Sequence, residues 1–368
     1  MLGNLSKKVG WTMGLLLAFS VSFMASNIAE WLGRDLLGFA RSPISGIMMA
    51  IIIGMIVANT FKMNTHIKGG LKFCASTLLR IGIMLLGIRL SLLGAGKFTL
   101  VALPFVLTAI SIGLLAVRIL GRSMNLSPQL TGLIAVGTSI CGATAIVATA
   151  PLIKAKEAEV GYSIACITVF GLAAMFFYPI LGHFLFAEKQ ALAGLFLGTS
   201  IHETAQVAGA GLMYQTQYNA PLALDYATVT KLVRNVCMIA VIPLVGLLYS
   251  EENSTPLNVS QSWLSMIPWF IIGFAVMSAI RTIGDLGEKP FFILSVDQWN
   301  NCVQLVKLLA EELLLIAMSA VGLTTLFSGM KKIGFRPFLL GLFAALLIGI
   351  VSLLSIFFFA EVVIDFIG

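Results

Sequence analysis

The sequence Gly-Thr-Ser-Ile occurs twice inside long apolar runs, beginning at Gly137 and at Gly198. Small and hydroxyl-bearing residues in the middle of such a run predict a break in a helix. A break frees backbone N–H groups and the positive end of a helix dipole, which suit an anion. The same residues also permit close helix packing, which is the structural alternative. The residues that we assign to a substrate site are Gly137, Thr138, Ser139, Cys141, Gly142 and Thr144 in the first copy, and Thr199, Ser200 and Gln206 in the second.

Two ionisable residues, His202 and Glu203, follow the second copy directly. The spacing of Ser200 and Glu203 matches a capping box, which would give the glutamate a purely structural role. However, an ionisable group inside a bilayer costs roughly 3 kcal/mol by insertion scales, and such groups are usually functional. Histidine also titrates near neutral pH. We therefore predict that His202 and Glu203 bind and release a coupled proton.

Four basic residues lie within apolar runs and have no acidic neighbour at helical spacing: Arg80, Arg89, Lys231 and Arg234. Lys231 and Arg234 are three residues apart, which places them on one face of a helix, and Arg80 lies in another run. Snorkelling to the membrane interface explains Lys231 and Arg89 more easily than Arg80 or Arg234. We predict that Arg80, Lys231 and Arg234 either bind an anion or tether helices, and the sequence leaves both roles open.

The composition predicts the elements that position these residues. The chain has 368 residues, of which 59% are hydrophobic and 11% charged, whereas soluble domains are about 45–50% apolar and about 25% charged. A bilayer-spanning helix needs about 20 apolar residues, and runs of that length recur throughout. The predicted fold is all-α and polytopic, with one transmembrane domain over residues 1–368. About eleven spans are predicted, near 9–29, 43–61, 71–94, 98–119, 129–152, 159–186, 190–213, 226–249, 262–283, 303–328 and 335–360.

Internal repetition suggests that the domain has two related halves. The segment 78–87 aligns without gaps on 313–322, in the third and tenth spans, which would cross in opposite directions. This predicts an inverted repeat, with halves near 43–186 and 190–360. The two Gly-Thr-Ser-Ile copies fall instead on the fifth and seventh spans, which run in the same direction. Which segment pairs with the break at Gly137 therefore stays open.

Several kinds of chemistry are not indicated. The five cysteines lack CxxC spacing or paired histidines, so neither a zinc site nor a disulfide framework is expected. The net charge of +7 is spread between the spans, which does not predict nucleic-acid binding. No phosphate-binding loop, zinc-protease motif or nucleophile with its base is present. We expect no cofactor, no metal and no enzymatic activity.

The sequence resembles a bacterial membrane family named for sulfate export. The resemblance covers nearly the whole chain and is carried by four stretches, 79–90, 137–146, 201–208 and 231–234. The most specific are the Cys-Gly-Ala motif at 141–143 and the His-Glu motif at 202–203. That family is grouped with inverted-repeat carriers similar to sodium/proton antiporters and bile-acid symporters. The resemblance implies that residues 137–144 form a substrate-facing break between crossed, discontinuous helices.

The expected function is secondary active transport of a small anion by alternating access, and the resemblance suggests sulfate or a related sulfur oxyanion. The expected location is the bacterial inner membrane, with the lipid bilayer, the anion and either protons or sodium as partners; a homo-oligomer is compatible with the sequence. Three alternatives stay open: an anion channel, a carrier of a zwitterion such as an amino acid, and a scaffold or sensor that transports nothing. The direction of transport and the coupling ion are not predicted.

Overall fold

The computed structural model describes residues 2–36, 45–61, 64–249, 268–286, 290–326 and 334–367, which form helices and contain no β-strand. This confirms the all-α prediction. The α-helices in these ranges are α1 (Leu2–Glu30), α2 (Gly46–Thr60), α3 (Thr65–Phe73), α4 (Leu79–Leu86), α5 (Leu92–Ser123), α6 (Pro128–Ser139), α7 (Ala143–Thr149), α8 (Glu157–Phe186), α9 (Gln190–Ser200), α10 (Thr204–Tyr218), α11 (Pro221–Val236), α12 (Met238–Tyr249), α13 (Trp269–Gly284), α14 (Val296–Thr324) and α15 (Phe335–Ile367).

Six stretches of helix in the described part of the chain are long and apolar enough to cross a membrane. They are Val9–Leu36, His66–Arg89, Leu92–Ser123, Glu157–Phe186, Pro221–Gly246 and Phe335–Phe366. Together with the shorter apolar helices α2 and α13 they form a multi-pass membrane protein.

The other predicted spans differ from simple membrane-crossing helices for two reasons. The spans predicted at 129–152 and 190–213 each consist of two short helices, α6 with α7 and α9 with α10. The span predicted at 303–328 lies in α14, where Lys307, Glu311 and Glu312 interrupt the apolar run. Residues 43–44, 262–267 and 327–328 of the predicted spans lie outside the described residues.

The chain divides into two compact units, each built from separate segments. The first unit contains Met1–Ala95, Gly211–Pro221 and Trp269–Ser328, and the second contains Gly96–Ala210, Leu222–Pro268 and Gly329–Gly368. Each unit takes segments from both predicted repeat halves. The two segments that aligned in the sequence, in α4 and α14, pack against each other in the first unit. Their inverted relationship stays a prediction.

The broken helices of the second unit follow from their local sequence. Thr138 and Thr199 occupy the same place in the two Gly-Thr-Ser-Ile copies, and each donates its hydroxyl hydrogen to the carbonyl oxygen four residues earlier, at 2.8 Å in both cases. Such bonds compete with the helix ladder and favour its end nearby. The helix α6 ends one residue later at Ser139, and Ile201 is extended after α9. The prediction of broken helices is confirmed.

Candidate functional site

Lys231 lies on α11 with only 1% of its surface exposed. Its ammonium group donates hydrogen bonds to the carbonyl oxygens of Ile140 at 2.9 Å, Ile201 at 3.0 Å and His202. An ammonium group carries three hydrogens, so these three acceptors use all of them. Lys231 does not snorkel to the surface; it is held inside the second unit by backbone oxygens.

Arg234, one turn further along α11, is completely buried and binds the same region. Its Nε donates to the carbonyl of Ser139 at 2.8 Å, and its Nη1 donates to those of Thr199 at 2.7 Å and Ile201 at 3.0 Å. Its Nη2 donates to the carbonyl of Thr138. A guanidinium group has five N–H donors, so these bonds leave one unused.

The carbonyl groups that accept these bonds belong to the interrupted ends of α6 and α9. A helix leaves its last four carbonyls without an intrahelical partner, and the helix dipole makes that end negative. Two cations between the two ends satisfy the carbonyls and offset the dipoles. Of the two roles that the sequence left open for Lys231 and Arg234, helix tethering is the one that these contacts support.

The two Gly-Thr-Ser-Ile copies, whose pairing the sequence left open, meet at these breaks. His202 of the second copy contacts Thr138 of the first, with 3.2 Å between the imidazole Nδ1 and the carbonyl oxygen. Gly142 has a φ of +69°, and a Cβ added there would lie 3.3 Å from the Cβ of Glu203. Glycine is therefore required at this position both by its backbone and by the close approach of the second break.

The two residues predicted to carry a proton have different surroundings. His202 is buried, and because Thr138 presents a carbonyl oxygen, Nδ1 carries the ring hydrogen. Its Nε2 is therefore an acceptor, and it has no hydrogen-bond partner among the described residues. Glu203 is half-buried and its carbonyl accepts from Val207 in the first turn of α10. The capping-box alternative is not formed, because Ser200 is the last residue of α9 and α10 begins only at Thr204.

The remaining predicted site residues of the second unit are spread around the breaks. Cys141 is buried, and its sulfur atom lies 3.6 Å from the sulfur atom of Met238. Gln206 is also buried, and its side-chain nitrogen donates to the carbonyl of Thr168 in α8 at 3.3 Å. Gly137 packs against the side chains of Ile146 and Ile167. Thr144 is exposed on α7, and no described contact joins it to the cations.

The structure places Arg80 in different surroundings from the other two cations. This residue is exposed on α4 in the first unit, whereas Lys231 and Arg234 are buried in the second. All three look alike in sequence, as cations inside apolar runs. Their burial differs because α11 packs its cationic face on two helix ends, and that packing leaves no trace in the local sequence. No described contact joins Arg80 to Lys231 or Arg234, and its place in a substrate site stays a prediction.

Sequence reasoning missed one polar residue of the site, Asn235. It is buried beside Arg234 on α11, and its amide nitrogen donates to the hydroxyl of Thr204 at 3.2 Å, at the start of α10. Its position four residues after Lys231, on the same helix face, is the signal that could have found it. Within the described ranges no group of three or more His, Cys, Asp or Glu residues is placed to hold a metal ion.

Comparison with known proteins gives a consistent result over most of the chain. Residues 13–341 match the family model described as conserved hypothetical protein 698. A UPF0324 membrane protein of Oceanobacillus iheyensis is 33% identical over 338 residues, covering 91% of this chain and 92% of the relative. One of Bartonella henselae is 32% identical over 356 residues, covering 96% and 94%.

A third relative carries a cellular location in its name. The UPF0324 inner membrane protein YeiH of Salmonella typhimurium is 32% identical over 339 residues, covering 90% of each chain. The family model covers well over half of the sequence and these relatives are matched along nearly their whole length. This protein therefore belongs to the UPF0324 membrane protein family, described as conserved hypothetical protein 698.

Proposed function

We propose that this protein is a secondary active transporter that moves a small anion across the bacterial inner membrane by alternating access. The observation that carries the proposal is the meeting of two helix breaks on two buried cations, Lys231 and Arg234. Non-helical backbone at membrane depth is tolerated where it is buried in protein or lines a cavity, and discontinuous helices are the usual place for substrate and coupling sites in carriers. The location is proposed from the name of the relative YeiH.

The balance of charge at the breaks favours an anion as substrate. A helix end carries roughly half an elementary charge, so the two negative ends of α6 and α9 offset about one of the two cations. About one positive charge is left, the N-terminal end of α10 adds to it, and Glu203 lies beside Gly142 at the same break. An ionised Glu203 offsets most of that charge, whereas a protonated Glu203 leaves it available to an anion. Anion binding and protonation of Glu203 are therefore coupled in this proposal.

The donors that would contact the anion are few. Three of the four donating nitrogens of the two cations are fully used by carbonyl groups, and the unused N–H of Arg234 is on Nη2. The positive N-terminal end of α10, which begins at Thr204, adds partial positive charge next to Glu203. Sulfate and related sulfur oxyanions, which the family resemblance suggests, are compact acceptors of this kind.

The experiment is uptake of radiolabelled sulfate by proteoliposomes with an imposed pH gradient. We expect saturable uptake that requires the protein and depends on the gradient, with sulfite and thiosulfate as competitors. Glu203→Gln should remove the dependence on the pH gradient, and Glu188→Gln, an exposed carboxylate change in the same unit, should leave it intact. Radiolabelled sulfite and thiosulfate are then tested in the same way, and uptake equal to that of protein-free vesicles for all three anions overturns the proposal of anion transport. Large single-channel currents overturn the carrier mechanism in favour of a channel.

A further inference from the structure

The first unit contains a cleft of about 490 Å³. Small-molecule sites usually enclose about 300–1,000 Å³, so the cleft can hold a small solute. The cleft is lined with charges and amides from α1 and from the π-helical turn Trp31–Leu36 that follows it. Further side chains come from α10, from the residue after it and from α14. The residues that the argument uses are Glu30, Arg34, Gln215, Asn219, Glu311 and Glu312, called the acidic cleft below.

Glu311 is held in place by two donors that share one of its oxygens. Arg89 Nη1 and Gln215 Nε2 donate to Glu311 Oε1 at 2.8 and 2.7 Å. Arg89 Nη2 also donates to Gln215 Oε1 at 2.9 Å, which closes a ring of hydrogen bonds among the three side chains. The second carboxylate oxygen of Glu311 accepts neither bond. It is the oxygen to which we assign a donor in the cleft, on a carboxylate whose position is already fixed.

Among the described residues, the ion pairs of the acidic cleft leave out one of its carboxylates. Glu30 pairs with Arg34 at 2.7 Å, and Glu311 pairs with Arg89 at 2.8 Å. Glu312, next to Glu311 in sequence, also lines the cleft, is exposed and has no ion pair in the described part of the chain. The site therefore combines a fixed carboxylate with a free one, an arrangement that suits a group with several N–H donors and positive charge.

We propose that the acidic cleft binds a small solute that carries a protonated primary amine, with the ammonium group between Glu311 and Glu312. An ammonium group offers three hydrogens, enough to reach both carboxylates together with the side-chain oxygen of Asn219. The expected ligand has the opposite charge to the proposed transport substrate. The site lies entirely in the first unit and does not depend on the function proposed for the breaks.

The test is a binding series on the full chain in detergent, at constant ionic strength and neutral pH. The probes share a four-carbon chain and differ in charge: 1,4-diaminobutane, 1,4-butanediol and succinate. We expect 1,4-diaminobutane alone to raise the melting temperature, because a ligand that binds the folded state stabilises it. Calorimetric titration with 1,4-diaminobutane should give a dissociation constant at least about tenfold larger for Glu312→Gln than for the parent, which corresponds to loss of one charge-assisted contact.

The controls separate a binding site from general charge effects. Glu311→Gln should weaken binding as well, but it also disturbs the ring of hydrogen bonds with Arg89. Glu312→Gln is therefore the decisive variant, because its side chain is exposed and its replacement should leave the fold unchanged. Glu188→Gln, an exposed carboxylate change in the second unit, should bind 1,4-diaminobutane like the parent. Equal stabilisation by butanediol, or unchanged affinity in Glu312→Gln, overturns the proposal. Neither outcome bears on sulfate uptake.

Discussion

Lys231 and Arg234 donate hydrogen bonds to the same acceptor, the carbonyl oxygen of Ile201, each at 3.0 Å. Ile201 follows α9 and is extended, so its carbonyl has left the helix ladder. A buried carbonyl without a partner costs free energy, and in a bilayer the cost is several kcal/mol. The two cations therefore stabilise one break jointly, in addition to the carbonyls that each binds alone.

Replacement of Arg234 by methionine should destabilise the protein strongly. The carbonyls of Ser139 and Thr199 lose the bond from Arg234, while Thr138 keeps that of His202 and Ile201 keeps that of Lys231. At about 1–3 kcal/mol for each unsatisfied buried acceptor, the expected loss is at least about 2 kcal/mol in the free energy of unfolding. Denaturant titration of the protein in micelles measures it.

The control for that change is Arg80→Met, which removes an exposed arginine from an apolar run of the first unit. Surface substitutions usually change stability by less than about 0.5 kcal/mol, and we expect that range here. Equal losses in the two variants would contradict the tethering role of Arg234.

A double-mutant cycle of Lys231→Met and Arg234→Met should show coupling. Each single variant leaves Ile201 with one donor, and only the double variant leaves it with none. Each single change also removes the repulsion between the two cations, which is a gain in stability. This gain is counted twice when the two single losses are added, but it occurs only once in the double variant. The double variant should therefore lose more stability than the two single losses added, by about 0.5–3 kcal/mol. Additive losses, as expected for Lys231→Met with Arg80→Met, would show that the cations act independently.

Sequence reasoning located the breaks but not the chemistry of the cations. The breaks could be found because Gly-Thr-Ser inside an apolar run is a local signal, and the hydroxyls of Thr138 and Thr199 act locally on their own helices. The partners of Lys231 and Arg234 are backbone carbonyls about 30 to 100 positions away in the chain. Every residue has a carbonyl, so no residue type marks those partners in the sequence.

The pairing of the two breaks could not be predicted for a related reason. Counting spans shows only in which direction each one runs, whereas the contact between His202 and Thr138 depends on how the segments fold back on each other. The same limit affected Arg80, whose burial could not be judged from its apolar neighbours. The all-helical class, in contrast, follows from composition and run length, because a bilayer admits few other structures.

Gly142→Ala should destabilise the protein through the backbone. Gly142 has a φ of +69°, and an added Cβ would lie 3.3 Å from the Cβ of Glu203. Strain of this kind costs about 1–3 kcal/mol, and we expect a loss of that size, measured by denaturant titration. Gly161→Ala is the matched control: it lies in α8 with no atom within 4 Å of the new Cβ, and should be neutral or stabilising by up to about 1 kcal/mol. Loss of stability in Gly161→Ala alone would show that the positive φ is unimportant.

The turn between α13 and α14 should contribute a pH-dependent part of the stability. Burial opposes ionisation of Asp285, but hydrogen bonds from Trp299 at 2.8 Å and Arg281 at 2.6 Å, with the charges of Arg281 and Lys307, outweigh it and lower its pKa. Because the folded pKa lies below the unfolded value of about 3.9, this stabilisation is present above about pH 4–5 and is lost as the pH falls through the folded pKa.

Asp285→Asn tests that expectation, because an amide keeps one acceptor oxygen but has no charge. We expect the parent to melt at a higher temperature than Asp285→Asn at pH 6, and the difference to shrink as the pH falls below about 4. Other carboxylates titrate in the same range, so the readout is the difference between the two proteins and not either melting temperature. A difference that stays constant from pH 6 to about pH 3 would mean that Trp299 and Arg281 recognise the shape of the side chain and not its charge.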